Sequence, residues 1–345
     1  MKGLCCDASV SCYHPLKALA VGKTMNGKTN YKFINDYFLI NYKMRTGKPF
    51  PEDKILYLPC GQCLGCRLDY SRQWANRCML ELQYHESSYF VTLTYDDFHV
   101  PRSWYTDPST GEAFQSLTLQ KRDFQLFMKR LRKRFSDQHI RFFMCGEYGG
   151  QTMRPHYHAI IFGLRLDDLV EYKKSPKGFS YYNSPSLQAC WSDQEGRPIG
   201  YAVVADVSWE SCAYTARYIL KKQKGDEAHF YTDFNIQPEF TLMSRKPGIG
   251  RQYFDDHPDI YDYDFINLKT EKKGLKFKPP RYYDNLFDIE NPERMSEIRE
   301  IRQKMAQSAQ KMKLERTSLS VEELNEVSER VKASQIKSLQ RRIEL

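Results

Sequence analysis

No run of this 345-residue sequence approaches the ~20 consecutive apolar residues that cross a bilayer. Its first residues, "MKGLCCDASVSCYHP", lack the apolar segment of a secretion signal. Membrane-spanning and exported classes are thereby disfavoured, and the reading is a soluble, cytosolic chain. No segment looks like the Gly-rich cradle of an ATP site, and there is no internal repeat. Glycine and proline are missing after residue 292, so the tail from about 293 to 345 reads as charged helix with a break near Thr317–Ser320. Ser320 and Glu323 have the spacing of a capping box there. Histidine is scarce, with 8 in the chain, whereas cysteine is plentiful at 10. A cytosolic chain does not keep disulfides, so burial or metal binding must account for the cysteines.

What is present is basic and aromatic. The chain is 41% apolar and 14% aromatic, enough for a real core, and carries a net charge of +9. Residues 1–80 hold 12 Lys and Arg against 5 Asp and Glu, so most of the excess lies there. A second basic run, "KRDFQLFMKRLRKR" (121–134), has Phe124, Phe127, Leu131 and Phe135 at helical spacing. That stripe predicts a helix with its apolar side buried and its basic side outside. Excess positive charge points weakly toward nucleic acid.

Residues 1–58 read as an irregular or short-stranded lead-in. The segment 64–85 reads as a helix with Leu68, Ala75, Met79 and Leu82 on one face and Trp74 and Cys78 beside it. Strands are expected at 87–97, 139–150, 155–164 and 199–207, and helices at about 118–135 and 209–222, the latter capped by Ser208. Residues 98–117 read as a loop, with Pro101, Pro108 and Gly111, and 165–198 as an insertion. This order predicts an α+β fold: an antiparallel sheet with helices on one face, a Cys-rich N-terminal region before it and a helical tail after it.

Two of the scarce histidines stand together in "RPHYH". In a strand, alternate side chains share a face, so His156 and His158 point the same way. Glu147, at the end of the preceding strand in "CGEYGG", can approach them if the two strands pair through the intervening turn. Two imidazoles and one carboxylate suit Mg²⁺ or Mn²⁺ with positions left open for phosphate oxygens. Tyr214 and Tyr218, four apart in "AYTARYILKK", share a helix face and have Arg217, Lys221 and Lys222 around them. Tyrosines at that spacing more often pack than react, and "FVTLTYDD" adds a strand ending in two acids.

The order strand "FVTLTY", then "RPHYH", then Tyr-x-x-x-Tyr with Lys resembles the motif set of the HUH endonuclease superfamily, the rolling-circle replication initiators. The paired tyrosines resemble its two-tyrosine branch. "CYHPLKA" and "PCGQCLGCRLDYSRQWANRC" resemble the initiators of gokushovirus-type microviruses, small single-stranded-DNA phages. The resemblance covers about residues 12–255. It implies a sheet of HUH or RNA-recognition type, with a ferredoxin-like core, and a site-specific single-stranded DNA nicking and joining enzyme. Tyr214 and Tyr218 would be the nucleophiles, with a 5′-phosphotyrosine intermediate and Lys221 or Lys222 offsetting charge. His156, His158 and Glu147 would hold the ion. It further implies a bacterial host cytoplasm, the replication origin as DNA partner, and a host helicase and DNA polymerase.

Cys60, Cys63 and Cys66 in "CGQCLGC" are each three apart, a spacing that fits tetrahedral Zn²⁺. The family pattern favours Cys12 as fourth ligand; Cys5, Cys6, Cys78 and His14 are alternatives. A structural zinc site would tie the N-terminal region to the helix at 64–85. Arg67, Arg72 and Arg77, with Tyr70 and Trp74, are placed to touch DNA phosphates and bases, or else form a basic surface over core aromatics. The expected organisation is a zinc-stapled region 1–86, an endonuclease domain 87–255, and a linker and helical tail 256–345. The main rival is a zinc-containing single-stranded nucleic-acid-binding protein without catalysis. A further rival is a hydrolase that activates water at the histidines and leaves no protein–DNA adduct.

Overall fold

Along the chain, β1 (Leu16–Lys23), β2 (Thr29–Phe33), α1 (Asp36–Thr46) and β3 (Leu56–Leu58) come first, followed by α2 (Leu64–Leu82). β4 (Ser88–Thr94), β5 (Arg102–Thr106), β6 (Ala113–Leu117), α3 (Lys121–Arg134), β7 (Arg141–Tyr148) and β8 (Pro155–Phe162) come next. Then follow β9 (Val170–Lys174), β10 (Ser180–Asn183), α4 (Pro185–Gln188), β11 (Ala202–Asp206) and α5 (Trp209–Arg217). The chain continues through α6 (His229–Asp233), β12 (Phe240–Met243), α7 (Arg251–Asp256), β13 (Ile266–Lys269), β14 (Gly274–Phe277) and α8 (Arg281–Glu290). It ends in α9 (Pro292–Leu314) and α10 (Val321–Gln340). This computed structural model describes residues 12–23, 25, 29–175, 180–217, 222, 225–269 and 274–340. They fall into two units, one made of Tyr70–Pro292 and the other of the segments up to Asp69 and from Glu293.

The larger unit is built on a seven-stranded sheet in the order β12-β7-β8-β4-β11-β10-β9, every pairing antiparallel. The central strands are aromatic and β-branched, as a buried pleated surface favours. One face packs against α3, whose Phe124, Phe127 and Leu131 are fully buried with Val91, Leu93, Met144, Tyr157 and Ala159 of the sheet. The stripe read from the sequence is thus the buried stripe, and Arg132, Lys133 and Arg134 close the helix where they oppose its dipole. The other face is also covered. Trp74 of α2 stacks on Phe143 of β7, with ring centroids 4.7 Å apart, and α5 lies against β7 and β8. The α+β class and antiparallel sheet are as expected. Helices pack on both faces rather than one, because the strands put apolar side chains on both.

Two expectations need correction. Residues 98–117 are not merely a loop: β5 and β6 form an antiparallel hairpin around Pro108 and Gly111. The stretch 165–198 contributes β9 and β10, which extend the main sheet at one edge. Ser208 caps α5 as read, its Oγ accepting from Ser211 N at 3.1 Å.

In the smaller unit, β1, β2 and β3 form an antiparallel sheet in the order β2-β1-β3. Asn35 caps α1 by accepting from Phe38 N at 3.0 Å. The capping box of α10 is formed as the sequence predicts. Ser320 N donates to Glu323 Oε2 at 2.8 Å, and Glu323 N donates to Ser320 Oγ at 3.2 Å. Glu329 of α10 accepts from Leu64 N at 3.0 Å and bonds His14 Nε2 at 2.6 Å, so the C-terminal helix is tied to both flanks of the cysteine segment.

Candidate functional site

The register of three strands assembles the first group. β7 and β8 pair so that Glu147 lies opposite His156 and Cys145 opposite His158. β8 and β4 pair so that His156 lies opposite Thr94 and His158 opposite Thr92. Directly opposed residues in an antiparallel pair point to the same face. Glu147 and both histidines therefore meet on the face covered by α5, and their ligand atoms all lie within 4.8 Å of one another. Glu147 Oε1 is 2.5 Å from His156 Nε2 and 3.5 Å from His158 Nε2. Glu147 and His158 are buried, and His156 is half-buried.

Second contacts fix the rings. His156 Nδ1 sits 3.1 Å from the Arg154 carbonyl. A carbonyl only accepts, so Nδ1 carries the hydrogen and Nε2 faces the carboxylate. Two electron-rich atoms at 2.5 Å require a positive charge to hold them together, a proton on Nε2 or a metal ion between. His158 Nδ1 lies 3.0 Å from the buried Thr92 hydroxyl. Burial alone would raise the Glu147 carboxyl, but the two imidazoles outweigh it and hold it below the usual carboxylate range. A buried carboxylate and two oriented imidazoles are a donor set for a divalent cation, with the outer contacts that orient metal ligands.

Tyr214 of α5 stands over this group. Its ring meets the His158 ring edge-on, centroids 5.3 Å apart, and that of Phe90 at 6.2 Å. Burial, then the charge of Glu147, pushes its phenol well above the ordinary value, while the half-buried Arg217 pulls it down. Lys222 is half-buried. Tyr218 and Lys221 lie outside the described residues. Asp96 and Asp97, the acids ending "FVTLTYDD", bind elsewhere. Asp96 bonds His99 Nδ1 at 2.9 Å, and Asp97 accepts from Arg154 Nη1 at 2.5 Å.

The second group is Cys12, Cys60, Cys63 and Cys66, their sulfurs all within 4.8 Å of one another. Cys12 and Cys63 Sγ are 3.9 Å apart. Two sulfurs on one tetrahedral Zn²⁺ are separated by ~3.8 Å, given Zn–S bonds of ~2.3 Å. Backbone N–H groups aim at the sulfurs: Cys60 N at Cys12 (3.2 Å), Cys63 N at Cys60 (3.3 Å) and Tyr13 N at Cys63 (3.4 Å). Burial raises the Cys63 thiol, but the N–H groups of Cys66 and Tyr13 outweigh it, and the thiol is lowered to about 7. Gly61, at φ +72°, takes the left-handed conformation that this turn requires. Of the alternatives for the fourth position, Cys78 is buried against Cys212, and Cys5 and Cys6 lie outside the described residues. The four thiols and their N–H donors fit a tetrahedral metal centre.

A family model described as replication-associated protein ORF2 matches residues 88–223, which span both the Glu147 group and Tyr214. The replication-associated protein ORF2 of Spiroplasma virus 4 is 31% identical over 304 residues, covering 86% of this chain and 87% of that protein. The chain belongs to this family of microvirus replication-associated proteins. The replication-associated protein VP4 of Bdellovibrio phage phiMH2K is 29% identical over 249 residues, covering 69% of this chain and 70% of that protein. The replication-associated protein ORF4 of Chlamydia phage 1 is 27% identical over 246 residues, covering 66% and 53%. No solved structure matches.

In this replication-associated protein the residues expected to touch DNA are dispersed. Arg67 and Arg72 are half-buried on α2. Trp74 is buried, stacked on Phe143 and covered by the Arg77 guanidinium 4.1 Å from its ring. Its ring is therefore part of the core, the alternative that the sequence left open. Thr92, Arg154 and Glu329 were not singled out by the sequence, since each acts through a partner distant in the chain. Among the described residues no helix is long and apolar enough to cross a membrane.

Proposed function

We propose that this chain initiates and ends rolling-circle replication of a phage genome by nicking and rejoining single-stranded DNA at the origin. The carrying observation is Tyr214 set edge-on against His158 of the Glu147–His156–His158 group. A Mg²⁺ or Mn²⁺ ion held by those three residues would draw charge from the scissile phosphate. The Tyr214 oxygen attacks phosphorus, and the bond to the 3′ oxygen breaks. The phenolic proton is lost, the departing oxygen becomes a 3′-OH that primes synthesis, and the 5′ phosphate stays on tyrosine. Tyr218 repeats the attack after one round, and the stored phosphodiester is resealed without ATP. Arg217 beside Tyr214 favours the phenolate, and Lys221 and Lys222 offset phosphate charge. Residues 87–255 would carry this chemistry. Cys12, Cys60, Cys63 and Cys66 hold a structural Zn²⁺, and Arg67 and Arg72 contact the backbone of the strand. Host helicase and polymerase supply unwinding and synthesis in the bacterial cytoplasm.

The test is cleavage of single-stranded oligonucleotides from the cognate genome with Mn²⁺ or EDTA, resolved on a denaturing gel. The wild type should give a metal-dependent, protein-linked DNA band. Tyr214→Phe should lower its formation by about 10³-fold or more, as loss of a nucleophile does. Cleavage without an adduct would replace this reading with hydrolysis. Binding without cleavage on every fragment would leave the binding protein.

A further inference from the structure

The row of side chains that carries Glu147 and His156 continues past Thr94. β4 and β11 pair with Leu93 opposite Ala202 and Thr92 opposite Val203. One residue further, Thr94 N donates to Tyr201 O at 2.9 Å, so Tyr201 lies opposite Thr94. Ala202 and Val204 point into the core beneath α3. Alternation then turns Tyr201 to the other face, which Glu147 and His156 share. Two strand spacings, about 10 Å, separate Tyr201 from His156 along this row.

The backbone at Tyr201 is fixed while its ring is left in solvent. Gly200 precedes it at φ +151°, where an added Cβ would lie 1.9 Å from the Thr94 carbonyl, so only glycine allows this approach. The Gln188 amide spans the residue, donating to Gly200 O and accepting from Ala202 N, both at 2.9 Å. Tyr201 N reaches Thr94 Oγ1 at 3.4 Å. Yet Tyr201 is 72% exposed, while Glu147 in the same row is 1% exposed. A single exposed aromatic is ordinary. One held from both sides beside a buried carboxylate–imidazole group is a positioned surface.

We propose that Tyr201 is a stacking platform for a base flanking the scissile phosphate, and so a positioning residue for the nicking reaction. This rests on the reading of the Glu147–His156–His158 group given above. A phosphate at that group leaves a neighbouring base about the width of two strands away, over the Tyr201 ring. Every base has a π-face, so such a platform fixes the strand without reading its sequence.

The test uses the full chain with Tyr201→Ala, Tyr201→Phe and Tyr201→Trp. Cleavage of the origin oligonucleotide should show KM raised by about 5- to 100-fold in Tyr201→Ala. Its kcat should be near the wild-type value, and Phe and Trp should keep a near-wild-type KM. A second readout needs no cleavage. In the Tyr214→Phe background, 2-aminopurine is walked through the positions flanking the nick, and its emission should be quenched at one of them. Tyr201→Ala added to that background should restore it. A wild-type KM in Tyr201→Ala with unchanged emission at every position overturns the proposal. A wild type that forms no adduct overturns the nicking reading instead, and the emission scan still decides whether a base stacks on Tyr201.

Discussion

Removing the charge from Glu81 should cost the larger unit about 3–5 kcal/mol, the usual penalty for leaving one partner of a buried ion pair unmatched. Glu81 and Arg141 are 4% and 6% exposed and bonded directly to each other. Glu81 also accepts from Gly250 N at 2.6 Å and bonds His85 Nε2 at 3.2 Å, and Arg141 Nη2 donates to Pro247 O at 2.8 Å. The pair therefore joins α2, the first residue of β7 and the segment around Gly250, and β7 carries Glu147 six residues on. In Glu81→Gln the shape is kept and the charge on Arg141 is stranded. For a unit of this size each kcal/mol lowers Tm by about 2–4 °C, so a drop of roughly 6–20 °C is expected. The effect has a pH signature. Burial would raise the Glu81 carboxyl, but His85, Gly250 N and Arg141 outweigh it and hold it below its ordinary 4.5. A carboxyl lowered in the folded state adds stability that is present above the unfolded value and lost as pH falls through the folded one. The gap between wild type and Glu81→Gln should thus be full above about pH 5 and shrink below about 4.5. Urea melts at pH 7 and pH 4 measure it. A Glu81→Gln chain within 0.5 kcal/mol of wild type at pH 7 would refute the reasoning, since surface substitutions fall within about that range.

Thr92→Val removes the hydroxyl that orients the His158 ring and should weaken Mn²⁺ binding by about 10–100-fold, read by calorimetry, with the melting curve little changed. Cys63→Ser should abolish stoichiometric zinc in the purified chain, as measured by elemental analysis, because a hydroxyl is a far poorer zinc ligand than a thiolate. Glu329→Ala leaves Leu64 N without its carboxylate acceptor and breaks the contact to His14. A cost of about 1 kcal/mol is expected, seen as roughly fivefold faster tryptic cleavage within the basic C-terminal helices. Unchanged cleavage would mean that other contacts hold α10.

What was legible in the sequence had a period or a fixed spacing behind it. The grouping of His156 with His158 follows from strand alternation, and Glu147 joins them because a short turn sets the register of β7 on β8. The Cys60–Cys63–Cys66 run and the Ser320–Glu323 box are likewise local. The hairpin β5–β6 was missed because its residues are mostly exposed and carry no one-sided apolar alternation, while Pro108 and Gly111 read as loop. β9 is exposed throughout, so nothing in its pattern marks it as part of the main sheet. Trp74 beside Arg72 and Arg77 has the composition of a nucleic-acid surface, and only the position of Phe143 turns it into core. Glu329 reaches residues 265 and 315 positions away, and no local pattern announces such a contact.

The residue between the two histidines explains why the site can be built on this strand at all. Tyr157 points away from them into the α3 core, where its hydroxyl donates to Gln120 O at 2.9 Å and accepts from Gln120 N at 3.1 Å. Tyr95 completes the contact, 2.8 Å from the Tyr157 hydroxyl and 2.5 Å from Asp123 at the start of α3. β8 is thus anchored from its core face at the position flanked by its two ligands. Because alternation is strict, that anchor fixes the register that sets Glu147, His156, Thr94 and Tyr201 in one row. A one-residue slip of β8 would exchange the histidines for Tyr157 and bury imidazole where the tyrosine network now stands. The histidines hold their place through a tyrosine that never faces them.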